Sequence, residues 1–374
     1  MLNRLKEITE EIIGEETLIK LIKNNQSINH YIGFEISGKP HIGSAVMSMA
    51  VIKELQSLGV NCKVFLADWH SWINNKLGGD LEFIREVGIP FFKANMIAGA
   101  KVVGADVDKI EFVTGSEIAQ DMMYWATVVD VSKNTTLSRI QRSISIMGRK
   151  EGESVDFAKL IYPPMQVADI FFMNINIAHA GMDQRKAHVI AIDVADKIKF
   201  NNLKLDDKKI KPIAIHHHLL MGLTPPNPEL LKKIEQNEIE IANVGTDLKM
   251  SKSKPDSAIF MTDTEDEVNR KINKAYCPEG VVQLNPILDW VEHLIFNVMN
   301  FTLKVERPEK WGGDVEYFDY QTLQNDFIEK KLHPADLKKA VAKTLNQILD
   351  PAREYLNQDE IKQWRKQIEE KVSR

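Results

Sequence analysis

The spacing of apolar residues predicts strands alternating with helices over roughly the first 220 residues. Residues 30–36 predict a strand. Residues 41–58 predict a helix, because apolar residues recur there at spacings of three and four. Gly59 is expected to end this helix, since glycine commonly follows a helix end. Further apolar strands are predicted at residues 62–67, 109–114, 174–180 and 211–216. Such alternation predicts an α/β fold with a doubly wound parallel sheet.

Both ends of the chain predict helices. Residues 1–28 predict one or two acidic amphipathic helices, and a proline-rich break, LTPPNPEL, begins at residue 223. Beyond it, helices are predicted at residues 265–274, 286–304, 334–356 and 359–372. We therefore expect three parts, namely an α/β domain, a linker and a mainly α-helical domain, with bounds at residues 1–230, 231–261 and 262–374.

The composition predicts a globular protein of a reducing compartment, with a cytoplasmic location and no membrane partner. The chain has 374 residues, of which 44% are hydrophobic and 27% charged. No apolar run approaches the roughly 18 residues that are needed to cross a bilayer. The N-terminus turns acidic at once, so no signal peptide is expected. Two cysteines, Cys62 and Cys277, exclude a disulfide scaffold.

The net charge of −5 excludes the overall basic excess of a non-specific nucleic-acid binder. It leaves RNA open as a partner, because a local basic patch can contact phosphates. Residues 133–150 hold five basic residues and no acidic one, and residues 197–211 hold six lysines against two aspartates. Both stretches are candidate patches, although most charge runs are solvated faces.

The first candidate site is the turn SGKPHIGS, between the strand at 30–36 and the helix at 41–58. A helix N-terminus presents unpaired N–H groups and a positive dipole end, which both favour phosphate. His41 can add a hydrogen-bond donor, and Gly43 allows a nucleotide to approach the backbone. An ordinary helix cap would use the same residues, so this motif alone leaves both interpretations open.

The second candidate site is the loop KMSKSK at residues 249–254. Its three lysines can close over a pyrophosphate group, although a solvated basic loop is the plainer interpretation of the loop alone. The two motifs together carry more weight, because their order and their separation of about 200 residues resemble the HIGH and KMSKS signatures of class I aminoacyl-tRNA synthetases.

A third motif, YPPMQVAD at residues 162–169, resembles the tyrosine-specificity helix of tyrosyl-tRNA synthetases. Tyr162, Gln166 and Asp169 fall at i, i+4 and i+7, on one face of a helix. A phenol needs a hydrogen-bond acceptor and a donor around its oxygen; Asp169 can accept its proton and Tyr31 can donate. The resemblance is closest to the archaeal and eukaryotic branch and covers nearly the whole chain.

The resemblance implies a Rossmann-like catalytic domain followed by a helical anticodon-binding domain. It implies a tyrosine–tRNA ligase that makes tyrosyl-adenylate from L-tyrosine and ATP, with Mg²⁺, and transfers the tyrosine to tRNA(Tyr). It also implies a homodimer whose interface lies in a helical segment at about residues 118–160.

The resemblance also assigns roles to individual residues. The implied catalytic residues are His41, Lys249 and Lys252. The implied tyrosine-binding residues are Tyr31, His70, Tyr162, Gln166, Asp169 and Gln184. The implied ATP-binding residues are Gly33, Glu35, Ser37, Gly43, Ser44, Gly181, Asp183, Lys249, Met250, Ser251, Lys252 and Ser253. The implied tRNA contacts are Arg185 together with Arg139 or Arg142 at the acceptor stem, and Trp311, His333 and Asp336 at the anticodon. Which of these arginines contacts the acceptor stem stays open.

Two alternatives remain open at this point. A tryptophan–tRNA ligase is the nearest related enzyme, but an indole offers only a donor, which the pairing of Tyr31 with Asp169 does not suit. A catalytically silent paralogue that binds tRNA is supported by Ser44, which stands where many relatives have the second histidine of HIGH.

No resident metal is expected. His216, His217 and His218 are consecutive, so on a strand they alternate between faces, and no fourth ligand for zinc is evident. We interpret these histidines as packing near the ATP site. The roles of the segments at about residues 198–211 and 224–246 are not predicted.

Overall fold

The computed structural model describes residues 2–148, 155–236, 248–250 and 255–372. Within these residues the strands are β1 (Thr9–Ile13), β2 (Asn29–Phe34), β3 (Asn61–Leu66), β4 (Ile110–Thr114), β5 (Ile177–Gly181), β6 (Lys204–Leu205), β7 (Lys208–Lys209), β8 (Ile213–His217), β9 (Leu303–Val305) and β10 (Val315–Tyr317).

The central sheet has six strands in the order β1-β8-β5-β2-β3-β4. Strands β8, β5, β2, β3 and β4 run parallel, while β1 pairs antiparallel with β8 at one edge. The predicted α/β fold with a doubly wound sheet is confirmed. From β2 the chain proceeds to β3 on one side and later to β5 on the other. In such sheets ligands bind beyond the carboxyl ends of the strands at this switch point.

Helices connect the strands and form most of the C-terminal part. The described α-helices are Asn3–Glu7, Glu15–Lys23, Ile42–Ser57, Asp68–Ile73, Leu81–Phe83, Ile89–Val103, Gly115–Ile118, Met122–Lys133, Leu137–Ser143, Phe157–Phe172, Arg185–Val194, Pro228–Glu235, Glu265–Lys274, Pro286–Trp290, Tyr320–Ile328, Pro334–Leu356 and Asp359–Val372. The helix Pro286–Trp290 continues into a wider π-helical stretch, Val291–Val298.

The helix Ile42–Ser57 begins and ends as the sequence predicts. Its N-terminus is a capping box: the Nδ1 atom of His41 accepts from the amide of Ser44, and the hydroxyl of Ser44 accepts from the amide of His41, each at 3.2 Å. Its apolar residues are buried and pack partly against the helix Ile89–Val103. Gly59 follows with a φ of +76°, a conformation that glycine adopts without steric cost.

Two helix predictions are wrong in their extent, namely those for residues 1–28 and 286–304. Residues 1–28 contain strand β1 between two helices, because the β-branched residues of Thr9–Ile13 pair along β8 and this tertiary pairing outweighs the helical pattern. The helix expected at residues 286–304 ends at Val298, and Asn300 then takes a φ of +53° that a helix does not tolerate. Strands β9 and β10 follow as an antiparallel pair.

One continuous cluster of buried apolar side chains contains residues of both the sheet region and the C-terminal helices. A second cluster lies between the sheet and the helices Met122–Lys133 and Phe157–Phe172. The helix Ile89–Val103 packs against both Pro334–Leu356 and Asp359–Val372. The division into domains at residues 230 and 262 stays a prediction. None of the described helices is long and apolar enough to cross a membrane.

Candidate active site

A cavity of about 300 Å³ lies at the carboxyl ends of β2, β3, β5 and β8. This is where the topology of the sheet places a ligand. Every predicted catalytic, tyrosine-binding and ATP-binding residue that the structure describes lines it: Tyr31, Gly33, Glu35, Ser37, His41, Gly43, Ser44, His70, Tyr162, Gln166, Asp169, Gly181, Asp183, Gln184, Lys249 and Met250. The remaining three, Ser251, Lys252 and Ser253, lie outside the described residues.

Asp169 is the buried carboxylate of the cavity. It accepts a hydrogen bond from the hydroxyl of Tyr124 at 2.9 Å. Burial raises the pKa of Asp169 well above its usual value, and the hydrogen bond from Tyr124 opposes this rise. Burial and the charge of Asp169 likewise raise the pKa values of Tyr31 and Tyr124. Both phenols therefore keep their protons and remain donors, while an ionised Asp169 is an acceptor.

His70 and Gln166 offer buried polar atoms that have no hydrogen-bond partner among the described residues. Both ring nitrogens of His70 and the Oε1 atom of Gln166 are in this state, although the Nε2 atom of His70 lies 3.5 Å from the carboxylate of Asp169. Burial lowers the pKa of His70 to about 3, so its ring is neutral. Leaving a buried polar atom unpaired costs about 1–3 kcal/mol. Such atoms in a cavity wall indicate a polar ligand.

Hydrogen bonds fix the orientation of the two glutamines. The Nε2 atom of Gln166 donates to the Oε1 atom of Gln184 at 3.2 Å, and the Nε2 atom of Gln184 donates to the carbonyl of Ile146 at 2.9 Å. The Oε1 atom of Gln166 is thereby left for another donor, such as an ammonium group. The spacing i, i+4 and i+7 in the helix Phe157–Phe172 does bring Tyr162, Gln166 and Asp169 to one cavity.

The N-terminus of the helix Ile42–Ser57 forms another part of the wall. Because the Nδ1 atom of His41 accepts from the amide of Ser44, the proton of the neutral ring lies on Nε2. A side chain at position 43 would place its Cβ atom 2.6 Å from the Cε atom of Met250. Gly43 therefore leaves room for the segment that carries Lys249, a requirement that the sequence alone does not reveal.

Two lysine–carboxylate pairs belong to the same cavity. Lys249 forms an ion pair with Asp183, and Lys76 lies 3.1 Å from Glu35. Their side chains are more exposed than that of Asp169. Lysine is a mobile point charge for phosphate, so a phosphate ligand would find two cations here.

Sequence reasoning missed two residues of this site, Tyr124 and Lys76. Tyr124 lies in the apolar helix Met122–Lys133, which matches no motif, and it reaches Asp169 only through the packing of that helix on Phe157–Phe172. Lys76 follows the helix that contains His70 and lines the cavity beside Glu35. In the sequence, Tyr124 is a polar group within an apolar helix and Lys76 a polar group within an irregular segment. No other feature of the sequence indicated that either residue belongs to the site.

The arginines predicted at the acceptor stem lie outside the cavity. Arg139 forms an ion pair with Asp193, and Arg185 forms a two-pronged ion pair with Glu11 at 2.7 and 2.8 Å. Arg142 is exposed. Arg142 lies beside the start of the helix Arg185–Val194, because Lys186 donates to the carbonyl of Arg142 at 3.0 Å.

The residues predicted at the anticodon share one region of the C-terminal part. Trp311 is 66% exposed in the turn between β9 and β10. His333 caps the helix Pro334–Leu356 by accepting from the amide of Ala335 at 3.1 Å, and Asp336 lies in the first turn of that helix. The turn and the helix are neighbours, because Arg307 donates to the carbonyl of Lys331 at 2.7 Å.

The three consecutive histidines have different partners. His216 lies 3.0 Å from the Nδ1 atom of His188, and His217 lies 2.8 Å from the Nε2 atom of His179. Of the three, only His217 lines the cavity. Burial lowers the pKa of His217 to about 4, so this ring is neutral.

His218 belongs to a separate cluster. In the described parts of the chain, Glu10, His218 and His293 bring three possible metal-ligand atoms within 4.8 Å of one another. The two histidine rings stack with their centroids 3.6 Å apart and an angle of 15° between their planes. A metal lies in the plane of each imidazole that binds it, so two nearly parallel stacked rings do not suit a shared ion.

Comparisons with known proteins show which family the chain belongs to. Residues 23–350 match the family model described as tRNA synthetases class I (W and Y). The chain is 53% identical to the tyrosine–tRNA ligase of Thermococcus sibiricus over 347 residues, which is 93% of this chain and 92% of that relative.

Solved structures agree as well. The tyrosyl-tRNA synthetase of Pyrococcus horikoshii, complexed with L-tyrosine, has a TM-score of 0.91 and 49% identity, over 97% of this chain and 98% of that one. The tyrosyl-tRNA synthetase of Aeropyrum pernix has a TM-score of 0.81 and 39% identity, over 99% and 98% of the two chains.

The chain therefore belongs to the family of class I aminoacyl-tRNA synthetases for tryptophan and tyrosine. It is an aminoacyl-tRNA ligase, a class of enzyme for which ATP is a substrate. Within the family it belongs with the tyrosyl-tRNA synthetases, and the resemblance that the sequence predicted is confirmed.

Proposed function

We infer that this chain is a tyrosine–tRNA ligase, which activates L-tyrosine with ATP and transfers it to tRNA(Tyr). The observation that carries this inference is the buried group of Asp169, Tyr31 and Tyr124, which offers a phenol an acceptor and a donor. A site built for a hydroxyl rejects an analogue that lacks it, because buried polar atoms are then left unpaired. Tyrosyl-tRNA synthetases are themselves a standard example of this selectivity.

The first step depends on positioning and needs no protein nucleophile. The tyrosine carboxylate is already ionised and attacks the α-phosphate of ATP, giving tyrosyl-adenylate and pyrophosphate. Tyr162, Gln166 and Gln184 hold the ammonium end of tyrosine. The Nε2–H group of His41 and the ammonium of Lys249 stabilise the negative charge of the phosphates. Lys252, Ser251 and Ser253 share this role by resemblance to the family.

Mg²⁺ would arrive with ATP. It keeps water and phosphate ligands and needs only one or two protein carboxylates. Glu35 and Asp183, which line the cavity beside the lysines, fit that requirement. The ion would neutralise charge on the departing pyrophosphate.

In the second step, the terminal ribose hydroxyl of tRNA(Tyr) attacks the mixed anhydride of tyrosyl-adenylate. Arg139, Arg142 and Arg185 are proposed to contact the acceptor stem. Trp311, His333 and Asp336 are proposed to contact the anticodon, with the indole stacking on a base. The exposure of Trp311 supports this role, since an indole on the surface offers a face to a base.

The enzyme is proposed to work as a homodimer in the cytoplasm. Its two cysteines are unpaired, as is usual in a reducing compartment.

The proposed dimer interface is the segment 118–160, where exposed apolar side chains concentrate: Met122, Val129 and Leu137 are 82%, 66% and 61% exposed. Such patches mark interaction sites. Light scattering should show Val129→Asp as a monomer, whereas Ile328→Asp, an exposed apolar site elsewhere, should keep the dimer.

The experiment that tests the function is ATP–pyrophosphate exchange, run in parallel with tyrosine, phenylalanine and tryptophan. Exchange with tyrosine alone is expected. Exchange with tryptophan would reassign the substrate. No exchange with any of the three, before or after addition of tRNA, would favour the catalytically silent paralogue.

Trp311→Ala tests the anticodon contact. Stacking of one base on an aromatic side chain contributes about 1–3 kcal/mol, so kcat/KM for tRNA in the charging reaction should fall by a factor of about 5 to 150. Tyrosine-dependent exchange should be unchanged. Phe318→Ala, which removes another exposed aromatic ring of the same region, is the matched control. An equal loss in charging and exchange for Trp311→Ala would show a structural role instead.

A further inference from the structure

The helix Pro286–Trp290 holds one residue of the chain beyond β8 by both of its backbone groups. The amide of Met221 donates to the Oδ2 atom of Asp289 at 2.9 Å. The carbonyl of Met221 accepts from the Nε1 atom of Trp290 at 2.7 Å. Trp290 is fully buried, and the side chain of Asp289 is only 10% exposed. Two consecutive residues of the C-terminal part thus fix the position of Met221.

Met221 is in turn the pairing partner of the segment that carries Lys249. Met221 and Lys249 form an antiparallel bridge. On either side of it, the amide of Gly222 donates to the carbonyl of Leu248 at 2.6 Å, and the amide of Met250 donates to the carbonyl of Leu220 at 3.1 Å. The position of the Lys249 backbone therefore depends on the position of Met221.

The second oxygen of Asp289 is held by His218. The Nε2 atom of His218 lies 2.8 Å from the Oδ1 atom of Asp289, and its Nδ1 atom lies 2.5 Å from the Oε1 atom of Glu10. Both partners are carboxylates, so both nitrogens donate and the ring is an imidazolium. Burial lowers the pKa of His218, but its hydrogen bonds to Asp289 and Glu10 outweigh this effect and raise the pKa to about 9. His218 thus fixes the orientation of the Asp289 carboxylate.

We propose that Asp289, Trp290 and His218 are positioning residues for Lys249, because they hold the strand partner that presents this lysine to the phosphates of ATP. None of the three lines the cavity, so they act through Met221 and not by touching substrate. The inference rests on the proposed role of Lys249 in the first step of the reaction.

Two substitutions test the proposal, each measured by tyrosine-dependent ATP–pyrophosphate exchange at varied ATP and at varied tyrosine. Asp289→Asn leaves one acceptor oxygen, which cannot serve both Met221 and His218. Trp290→Phe keeps the ring and removes the N–H donor. For both we expect kcat/KM for ATP to fall about tenfold, with KM for tyrosine unchanged. Glu292→Gln, on the same helical segment but without a bond to Met221, is the matched control. Thermal melting checks that each variant is folded.

A double-mutant cycle separates this proposal from the function on which it rests. If Asp289 acts through Lys249, adding Asp289→Asn to Lys249→Ala causes no further loss of exchange. Losses that multiply would show that Asp289 acts independently and would overturn the proposal. If Lys249→Ala loses exchange while Asp289→Asn and Trp290→Phe match the wild type, the inference fails and the proposed function stands. If Lys249→Ala itself keeps full exchange, the role of Lys249 fails first and the positioning proposal fails with it.

Discussion

The cavity has two ends that are built in different ways. At one end Asp169 is buried and its polar neighbours are oriented by hydrogen bonds within the protein, such as the one from Tyr124. At the other end the charged side chains are partly exposed and pair with one another, as Lys249 does with Asp183. A polar contact is strong and geometrically fixed in a buried site, whereas an exposed ion pair contributes roughly 0–1 kcal/mol.

This difference suggests that one end of the cavity selects the amino acid, while the side chains at the other end rearrange around the phosphates. In the proposed function the buried end binds tyrosine, and because its groups are already oriented, we expect them to discriminate between amino acids without moving. In the proposed function the other end binds the phosphates of ATP. We expect its lysines to exchange a protein carboxylate for a phosphate at little cost, and so to follow the charge that moves from ATP to pyrophosphate. We therefore expect substitutions at the first end to affect the amino acid, and substitutions at the second end to affect ATP.

The largest expected effect comes from Asp169→Ala. The substitution removes the acceptor for the substrate phenol and leaves the hydroxyl of Tyr124 without its partner. Breaking a buried, charged contact costs about 3–5 kcal/mol, so kcat/KM for tyrosine should fall by a factor of about 100 or more, with KM for ATP nearly unchanged. Asp193→Ala, at a surface ion pair, is the control. Tyrosine activation that survives with unchanged specificity would show that the phenol binds elsewhere.

Gly43→Ala perturbs the opposite end. The new Cβ atom would lie 2.6 Å from the end of the Met250 side chain, which must move and shift the segment of Lys249. We expect kcat/KM for ATP to fall about tenfold and tyrosine binding to be unchanged. Because the clash is with a flexible side chain, the double variant Gly43→Ala, Met250→Ala should recover part of the loss. A loss that Met250→Ala does not relieve would indicate that the nucleotide itself needs the space at Gly43.

A smaller effect is expected for Tyr124→Phe, and it depends on pH. Burial raises the pKa of Asp169, and the hydrogen bond from Tyr124 opposes that rise. Removing the hydroxyl should therefore raise this pKa further. A protonated Asp169 is a poorer acceptor for the substrate phenol, so tyrosine binding should weaken as the pH falls, and it should weaken at a higher pH in the variant.

Equilibrium dialysis of labelled tyrosine between pH 5 and pH 8 measures this shift. Tyr320→Phe, which removes a hydroxyl outside the cavity wall, should follow the wild-type curve. Identical curves for Tyr124→Phe and the wild type would contradict the assignment of Asp169 as the group that titrates.

The sequence predicts those parts of the site that lie close together along the chain. Tyr162, Gln166 and Asp169 share one helix, so the helical repeat alone places them on one face. His41 and Gly43 follow a predicted strand, so the topology of the sheet places them at its carboxyl end. The sheet itself was predictable for the same reason, because its parallel strands are apolar and are separated by helices.

The parts that could not be predicted depend on contacts between distant segments. Tyr124 reaches Asp169 only when two helices pack together. Strand β1 forms because β8 is available beside it, although the pattern of residues 1–28 as a whole predicts helices. The contact of Asp289 with Met221 joins residues that are 68 positions apart, and no local pattern indicates it. Such contacts are tertiary, and residue spacing carries no information about them.

The smallest effect is expected for Ser44→Ala, and it decides what Ser44 contributes to the phosphate end. Its hydroxyl accepts from the amide of His41 and completes the capping box of the helix Ile42–Ser57, while its own amide holds the Nδ1 atom of His41. Alanine keeps that amide, so the orientation of His41 should survive. Loss of a capping hydroxyl costs about 1 kcal/mol, which should appear as a lower midpoint of thermal or urea unfolding. The rate of tyrosine-dependent ATP–pyrophosphate exchange should change less than twofold, and Ser44→Thr, which keeps a hydroxyl, should restore most of the stability.

A large fall in kcat/KM for ATP without a loss of stability would show instead that the hydroxyl of Ser44 contacts the phosphates directly. In that case the phosphate end would hold a fixed donor as well as mobile charges, and the contrast between the two ends of the cavity would be weaker than the structure indicates.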